Sequence, residues 1–116
     1  MTASHDAFAP LPQPPYWAVI FTAQRTEYDE AGYGRMAERM GQMALEQPGC
    51  IGMEATRGPD GLGITVSYWA REEDLLAWKE DARHLVAQQL GKDAWYSHYR
   101  LRVAKVERHY TGPEGR

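Results

Sequence analysis

The chain has 116 residues, 43% hydrophobic and 25% charged, which fits one folded domain and leaves too little sequence for two independent cores. Sixteen acidic against thirteen basic residues give a net charge of -3, so we expect no nucleic acid partner. The single cysteine, Cys50, excludes an intramolecular disulfide and a multi-thiolate metal site within one chain. No stretch has the pattern of a secretion signal or the roughly 20 apolar residues of a membrane span. We therefore expect a cytoplasmic protein without membrane association.

The chain divides into an arm, a domain and a tail. Residues 1–15 hold four of the seven prolines and few large apolar side chains, which predicts an extended N-terminal arm. Residues 16–110 carry the patterned, foldable sequence. Residues 111–116 are short and polar, which is typical of a frayed C-terminal tail.

The first half of the domain predicts a strand followed by a helix. Residues 16–23 are mostly apolar at both odd and even positions, which indicates a strand buried on both faces. A Gly and Tyr loop at residues 32–34 then precedes a helical stripe that ends at Pro48 and Gly49. The stripe consists of Met36, Ala37, Met40, Met43, Ala44 and Gln47. Its methionines could line an adaptable ligand cavity, but their spacing favours core packing.

The second half predicts a hairpin, a helix and a long strand. Residues 50–57 and 62–69 are β-prone runs joined by the turn sequence Gly-Pro-Asp-Gly at 58–61. Residues 71–90 start acidic and place Leu75, Trp78, Ala82 and Leu85 on one stripe, which indicates a helix that stops at Gly91. Residues 95–110 alternate with a period of two, as a strand does.

This order of elements, βαββαβ, is that of the ferredoxin-like split βαβ fold of the α+β class. It predicts a four-stranded antiparallel sheet with two helices on one face and nothing on the other. A second copy of the chain is expected to cover that bare face, so we predict a homodimer.

Several motifs in order along residues 16–110 resemble the antibiotic biosynthesis monooxygenase domain family, whose members form dimeric α/β barrels. They are the first strand at 16–21, Gln-Pro-Gly-Cys-Ile-Gly at 47–52, Gly-Ile-Thr-Val-Ser-Tyr-Trp at 63–69, and Trp78-Lys79. The resemblance implies a cofactor-independent monooxygenase that oxidises a phenolic or quinol-type aromatic substrate with molecular oxygen. It also admits a haem-degrading relative or a non-catalytic dimer that holds a small hydrophobic molecule in the same cavity.

The haem-degrading branch of this family is matched at one of three positions. That branch uses an Asn on the first strand, a Trp on the second helix, and an iron-ligating His ten residues after the Trp. Trp78 matches the Trp, but Gln24 stands at the Asn position and Gln88 at the His position, and an amide is a poor axial iron ligand. His84 lies one helical turn before Gln88. We therefore expect no cofactor, with haem as the alternative.

His84, Gln24 and Trp78 are the candidates for catalysis and Trp69 is a candidate for substrate binding, and each has a structural alternative. His84 could act as a base on a phenol, or it is a surface histidine. Trp69 and Trp78 could wall an aromatic pocket, with Trp78 also an indole donor, or they are core residues. Gln24 could donate to a substrate oxygen, or it is a strand-end amide. Phe21 and Gln88 complete the expected substrate-binding set, and no metal or nucleotide motif is present.

Overall fold

The computed structural model describes residues 7–90 and 95–113, with the side chains of residues 83–90 excepted. Its elements are β1 (Tyr16–Arg25), α1 (Glu30–Leu45), β2 (Cys50–Arg57), β3 (Leu62–Trp69), α2 (Glu72–Leu90) and β4 (Tyr96–Val106). The βαββαβ order predicted from the sequence is therefore confirmed. Within the described ranges, no helix is long and apolar enough to cross a membrane.

The four strands form one antiparallel sheet in the order β2-β3-β1-β4. β1 lies centrally, with Trp17 opposite Trp69 on one side and Tyr16 opposite Val106 on the other. The predicted hairpin is present with its turn at residues 58–61, where Gly61 adopts a φ of 90° that a glycine tolerates without strain. Side chains alternate between two faces along each strand, so we name them the helix face and the open face.

The predicted loop at residues 32–34 is wrong, because α1 already begins at Glu30. Asp29 caps the helix, and its carboxylate accepts a hydrogen bond from the Gly32 backbone N–H at 3.1 Å. A Cβ at Gly32 would overlap that carboxylate. The two glycines that suggested a loop are thus helical, and one of them leaves room for the cap.

The core lies between the helix face and the two helices. Val19, Ala44, Trp69, Leu75 and Trp78 form one buried cluster, with Met40 and Met43 packed partly buried against it. Met36 is also buried. The methionine stripe is therefore largely part of the core, as the spacing favoured.

The open face is not wholly bare, which corrects the prediction. The arm crosses one end of it, where the Ala9 N–H donates to Glu54 Oε2 at 2.9 Å and Gly52 lies against Ala9 and Pro10. The rest of the face, towards the 58–61 turn, has no cover from the described residues. The arm therefore covers one end of the open face and leaves the other exposed.

The last strand ends four residues earlier than predicted. β1 begins at Tyr16, opposite Val106, so no strand remains to pair with residues 107–110. Instead the chain turns back, and His109 Nδ1 lies 2.6 Å from the Tyr16 hydroxyl. Tyr16 is only 2% exposed as a result.

Candidate functional site

Trp69 of β3 and Trp78 of α2 lie together in the core, between the helix face and the helices. Both belong to the core cluster with Leu75, and Trp69 is fully buried. The Trp69 indole N–H donates to the Ser67 hydroxyl at 2.9 Å. That donor is already used within the fold, so Trp69 offers no hydrogen-bond donor to a ligand.

Phe21 also lies on the helix face, but within an aromatic cluster towards β4. Its ring centroid is 5.5 Å from that of Tyr96 and 5.6 Å from that of Tyr99. Tyr96 in turn contacts Tyr33 of α1 edge to face, at 5.7 Å. The cluster brings β1, β4 and the start of α1 together at the end of the sheet that carries the 58–61 turn.

Two guanidinium groups border this cluster. Arg25 Cζ lies 4.2 Å and Arg57 Cζ 5.0 Å from the centroid of the Tyr33 ring. Among the described residues, Arg25 Nε and Nη2 are buried without a hydrogen-bond partner, and so is the indole nitrogen of the neighbouring Trp95. Nε and Nη2 form one edge of the guanidinium, the edge that pairs with two oxygens of an anion. Such orphaned donors are uncommon in buried positions and indicate a place where an acceptor would be stabilising.

The Tyr96 phenol stays protonated at neutral pH. Burial is the main cause that raises its pKa far above the ordinary value, and the hydrogen bond to Tyr33, at 3.4 Å between the hydroxyl oxygens, adds to it. The charges of Arg25 and Arg57 act in the opposite direction without reversing the shift. Tyr96 is therefore a hydrogen-bonding group rather than a base at this end of the sheet.

Gln24 lies on the opposite side of the sheet from the two tryptophans. It pairs with Leu62 and His98 across the sheet, and its amide nitrogen donates to the Asp60 carbonyl at 2.7 Å. The structure thus does not bring Gln24 into one site with Trp69 and Trp78. It instead lines a cavity of about 310 Å³ on the open face, which we name the open-face pocket, with Thr22, Ala23, Leu62, His98, Arg100 and Arg102.

The remaining candidates are only partly placed. The side chains of His84 and Gln88 lie on α2 outside the described residues. Across the described ranges, no three His, Cys, Asp or Glu side chains gather as metal ligands would. Cys50 is half-buried, and burial raises the pKa of its thiol, which suits an inert core residue.

Sequence reasoning missed Arg25, Tyr33, Trp95 and Tyr96 as a group. Arg25 follows Phe21 and Ala23 at two-residue spacing, which places it on the same face of β1. Tyr33 precedes Met36 by three residues, which places it on the same side of α1. The sequence therefore contained a signal for each. The loop prediction for residues 32–34 concealed them. Tyr96 reaches the same face because the register between β1 and β4 shifts at Gln24 and Arg25, and periodicity alone does not show such a bulge.

Comparison with known proteins gives relatives in sequence and in structure, although no protein-family model matches the chain. The uncharacterized protein YqjZ of Bacillus subtilis is 46% identical over 103 residues, which cover 89% of this chain and 90% of that protein. A jasmonate monooxygenase of Pyricularia oryzae is 28% identical over 100 residues, or 85% of this chain, but the match spans only 41% of the fungal protein.

Solved structures agree on the fold. A protein proposed to be an antibiotic biosynthesis monooxygenase, from Nitrosomonas europaea, superposes with a TM-score of 0.63 at 11% identity, over 76% of this chain and 95% of its own. PA3566 of Pseudomonas aeruginosa gives 0.63 at 12% identity, over 85% of this chain and 99% of its own. The resemblance to antibiotic biosynthesis monooxygenases seen in the sequence is thereby confirmed.

Proposed function

The chain belongs to the same family as the Bacillus subtilis protein YqjZ, and on that premise we propose that it is a cofactor-independent monooxygenase. Its substrate in this proposal is a phenolic or quinol-type aromatic molecule, oxidised by molecular oxygen. The observation that carries the proposal is the antibiotic biosynthesis monooxygenase fold, together with a sequence relative named as a monooxygenase. The aromatic helix face supports the substrate class, because flat rings stack against such walls.

The chemistry requires a base and a group that stabilises an oxyanion. Removal of the phenolic proton gives a phenolate, which is electron-rich enough to react with oxygen without a bound cofactor. One oxygen atom becomes the second carbonyl oxygen of a quinone and the other leaves as water, so the substrate supplies all the electrons. A monohydric phenol and one oxygen molecule thus give one quinone and one water.

We assign the base to His84 and the aromatic wall to Trp69, Trp78 and Phe21, with Gln88 one turn beyond His84. Trp78 keeps its proposed role as an indole donor. Gln24 is left out of this site because it lies on the open face. Arg25 takes its place as the candidate for oxyanion stabilisation, since an oxyanion at its Nε and Nη2 would satisfy two buried donors.

Oxygen uptake by the purified protein tests the proposal. With a panel of polycyclic phenols and quinols, at least one compound is expected to consume oxygen and give the quinone. His84→Ala should then lower the rate about 100-fold or more, the range for loss of a general base. Asp81→Asn removes an exposed titratable group from the same helix and should leave the rate unchanged. Full activity of His84→Ala on a confirmed substrate would refute the assignment of the base.

The alternative is a haem-binding, haem-degrading or non-catalytic dimer that holds its ligand between the helix face and the two helices. Trp78 is the residue that favours it, but the iron-ligand position holds Gln88, so we derive no step through haem. A hemin titration followed at the Soret band separates the two. Saturation near one haem per chain, lost in His84→Ala and followed by bleaching with a reductant under air, would replace our proposal with haem degradation.

We also propose that the protein is a homodimer formed through the open face. Leu62 and Ile64 are 45% and 39% exposed there, and Ile20 and Val66 are only partly covered. Apolar side chains on an uncovered sheet favour burial against a second copy. Light scattering after size exclusion at micromolar concentration should give the mass of two chains, and the mass of one chain would contradict the dimer.

A further inference from the structure

The buried nitrogens beside Tyr33 form a group of donors that the described residues leave without an acceptor. We propose that Trp95 joins Arg25 there in a three-donor site that holds the aromatic substrate as its phenolate. This role rests on the proposed function and extends it, because it adds a binding residue and specifies the ionisation state in which the substrate is bound. The site belongs to the helix face of the sheet and uses no residue of the open face.

The backbone brings Arg25 and Trp95 together. The Thr26 N–H donates to the Trp95 carbonyl at 2.9 Å, so the end of β1 and the residue before β4 are held side by side. Arg25 Cζ lies 4.2 Å from the centroid of the Tyr33 ring. The Trp95 ring stands at 81° to the same ring, with the centroids 5.9 Å apart. Two side chains from distant parts of the sequence therefore meet at one aromatic ring.

The unmet donors favour an anion over a neutral acceptor. Trp95 is only 4% exposed, so its indole N–H cannot turn to bulk water, and Arg25 Nε and Nη2 are buried as well. An unpaired buried donor is destabilising, and a guanidinium also requires a negative charge. Arg25 and Arg57 both lie over the Tyr33 ring, and neither has a carboxylate partner in the described part of the chain. An oxyanion therefore satisfies this site more fully than a carbonyl does.

The surroundings of the donors favour an oxyanion carried on a flat ring. The Tyr96 ring centroid lies 5.7 Å from that of Tyr33 and 5.5 Å from that of Phe21, and an aromatic ligand stacks on such rings. The three nitrogens are closed to water in the free chain, so a ligand ring must displace a ring of this cluster. Tyr99, which contacts Tyr96 and is 52% exposed, loses the least buried contact when it moves.

Three donors around one oxygen change the ionisation of the ligand that carries it. Hydrogen bonds and a positive charge favour the ionised form of a phenol, so the pKa of the phenol falls when it binds. The proton passes to the base assigned to His84, and the ring retains the electrons that oxygen takes up later. Arg25 and Trp95 thus hold the anion while His84 accepts the proton.

The ionisation of a bound probe tests this site without any oxygen chemistry. 4-Nitrophenol is the probe, because its phenolate absorbs visible light, and 4-nitroanisole, which cannot ionise, is the neutral match. With the full chain at saturating concentration, the pKa of the bound probe should lie at least about one unit below that of the free probe, which is a tenfold preference for the phenolate. 4-Nitroanisole should bind at least about tenfold more weakly than the ionised probe.

Two variants assign the effect to its residues. Arg25→Gln should abolish the pKa shift of the probe, and Trp95→Phe, which keeps a ring but loses the N–H, should reduce it by about half a unit or more. Trp17→Phe is the matched control, because it removes an indole at the other end of β1 and should leave the shift unchanged. Circular dichroism checks that each variant is folded, and if one is not, the wild-type comparison of the two probes still decides.

Four results would overturn the proposal. An unchanged pKa of the bound probe would indicate that water satisfies the three donors, and equal binding of 4-nitroanisole would show a site without charge selection. A full shift in Trp95→Phe would remove Trp95 from the site. Tighter binding of 4-nitrobenzoate than of the phenolate would assign the donors to a carboxylate instead.

The same measurements separate this site from the oxygenase reaction. If the pKa of the probe is unchanged while other phenols are still oxidised, the three-donor site alone is wrong. If the shift is present and no compound takes up oxygen, the oxygenase assignment is wrong and the phenolate site stands.

Discussion

The two faces of the sheet are built by the same strands and have opposite characters. On β3, Trp69 is fully buried on the helix face, while Leu62 of the same strand is 45% exposed on the open face. The helix face gathers the aromatic core, and the open face carries the arginines Arg100 and Arg102 beside exposed aliphatic side chains. We infer that the stability of the domain comes mainly from one face and that the other is available for recognition.

The substitution with the largest expected effect creates a cavity in the core beside the helix face. Trp69→Ala should lower the free energy of unfolding by about 3–5 kcal/mol, because it removes a fully buried indole and leaves a void in the core. Urea unfolding followed by circular dichroism measures the change.

Leu62→Ala is the matched control on the same strand. Its side chain is partly in water in the single chain, so at a concentration where the protein is monomeric the free energy of unfolding should fall by no more than about 0.5 kcal/mol. If the two substitutions lower it equally in the monomer, the open face is buried without a second copy, and the contrast between the faces is lost.

The sequence was sufficient for most of the fold because its signals were local. The hairpin follows from a four-residue turn between two β-prone runs, and the second helix from its acidic start and its Leu75 and Trp78 stripe. The start of α1 was missed because Gly32 is read as a loop residue until the Asp29 cap is known. The end of β4 depends on where β1 begins, which is information from a distant part of the chain.

The candidate site was predicted less well than the fold. Trp69 and Trp78 meet in the core next to the helix face, but Gln24 lies on the other face of the sheet, beside the 58–61 turn. The alternation along β1 places Arg25 on the helix face, but it does not indicate that two of its nitrogens are buried without a partner among the described residues. Sites assembled from several strands depend on register and bulges, and periodicity along one segment does not report them.

The next effect in size is the pH dependence that the half-buried Tyr96 phenol confers. Its pKa in the folded state is raised above the ordinary value near 10, whereas in the unfolded chain it is not. The stabilisation is fully present below the unfolded pKa and is lost as the pH rises towards the folded one. Above about pH 10 this group should therefore steepen the loss of stability by up to about 1.4 kcal/mol per pH unit.

Urea unfolding at a series of pH values between about 8 and 11 measures that slope around the phenol pKa. Tyr96→Phe cannot ionise at this position and should decline less steeply than the wild type. Tyr99→Phe, at the 52% exposed neighbour, should keep the wild-type slope. Identical slopes in wild type and Tyr96→Phe would mean that the phenol is not desolvated in the fold.

The smallest effect concerns the covered end of the open face. The Tyr68 hydroxyl donates to Glu54 Oε1 at 2.7 Å, and the other oxygen of the same carboxylate holds the arm at Ala9. Tyr68→Phe should lower the free energy of unfolding by about 1 kcal/mol, because the Glu54 carboxylate loses the hydrogen bond from Tyr68 and keeps the one from the Ala9 N–H. Thermal unfolding measures it, with the exposed Tyr110→Phe as the control expected to match wild type. An unchanged melting temperature in Tyr68→Phe would show that the arm does not depend on this contact.

The central position of β1 also determines when the sheet can form. Its two neighbours are β3 and β4, and the β4 partner of Tyr16 is Val106, far along the sequence. Pairings over such separations form late, because a long loop must close before they stabilise anything. During synthesis on the ribosome, β1 can meet β3 well before β4 has emerged. Until then the first strand of the protein has an unprotected edge, and a nascent chain stalled after α2 would expose it to other chains.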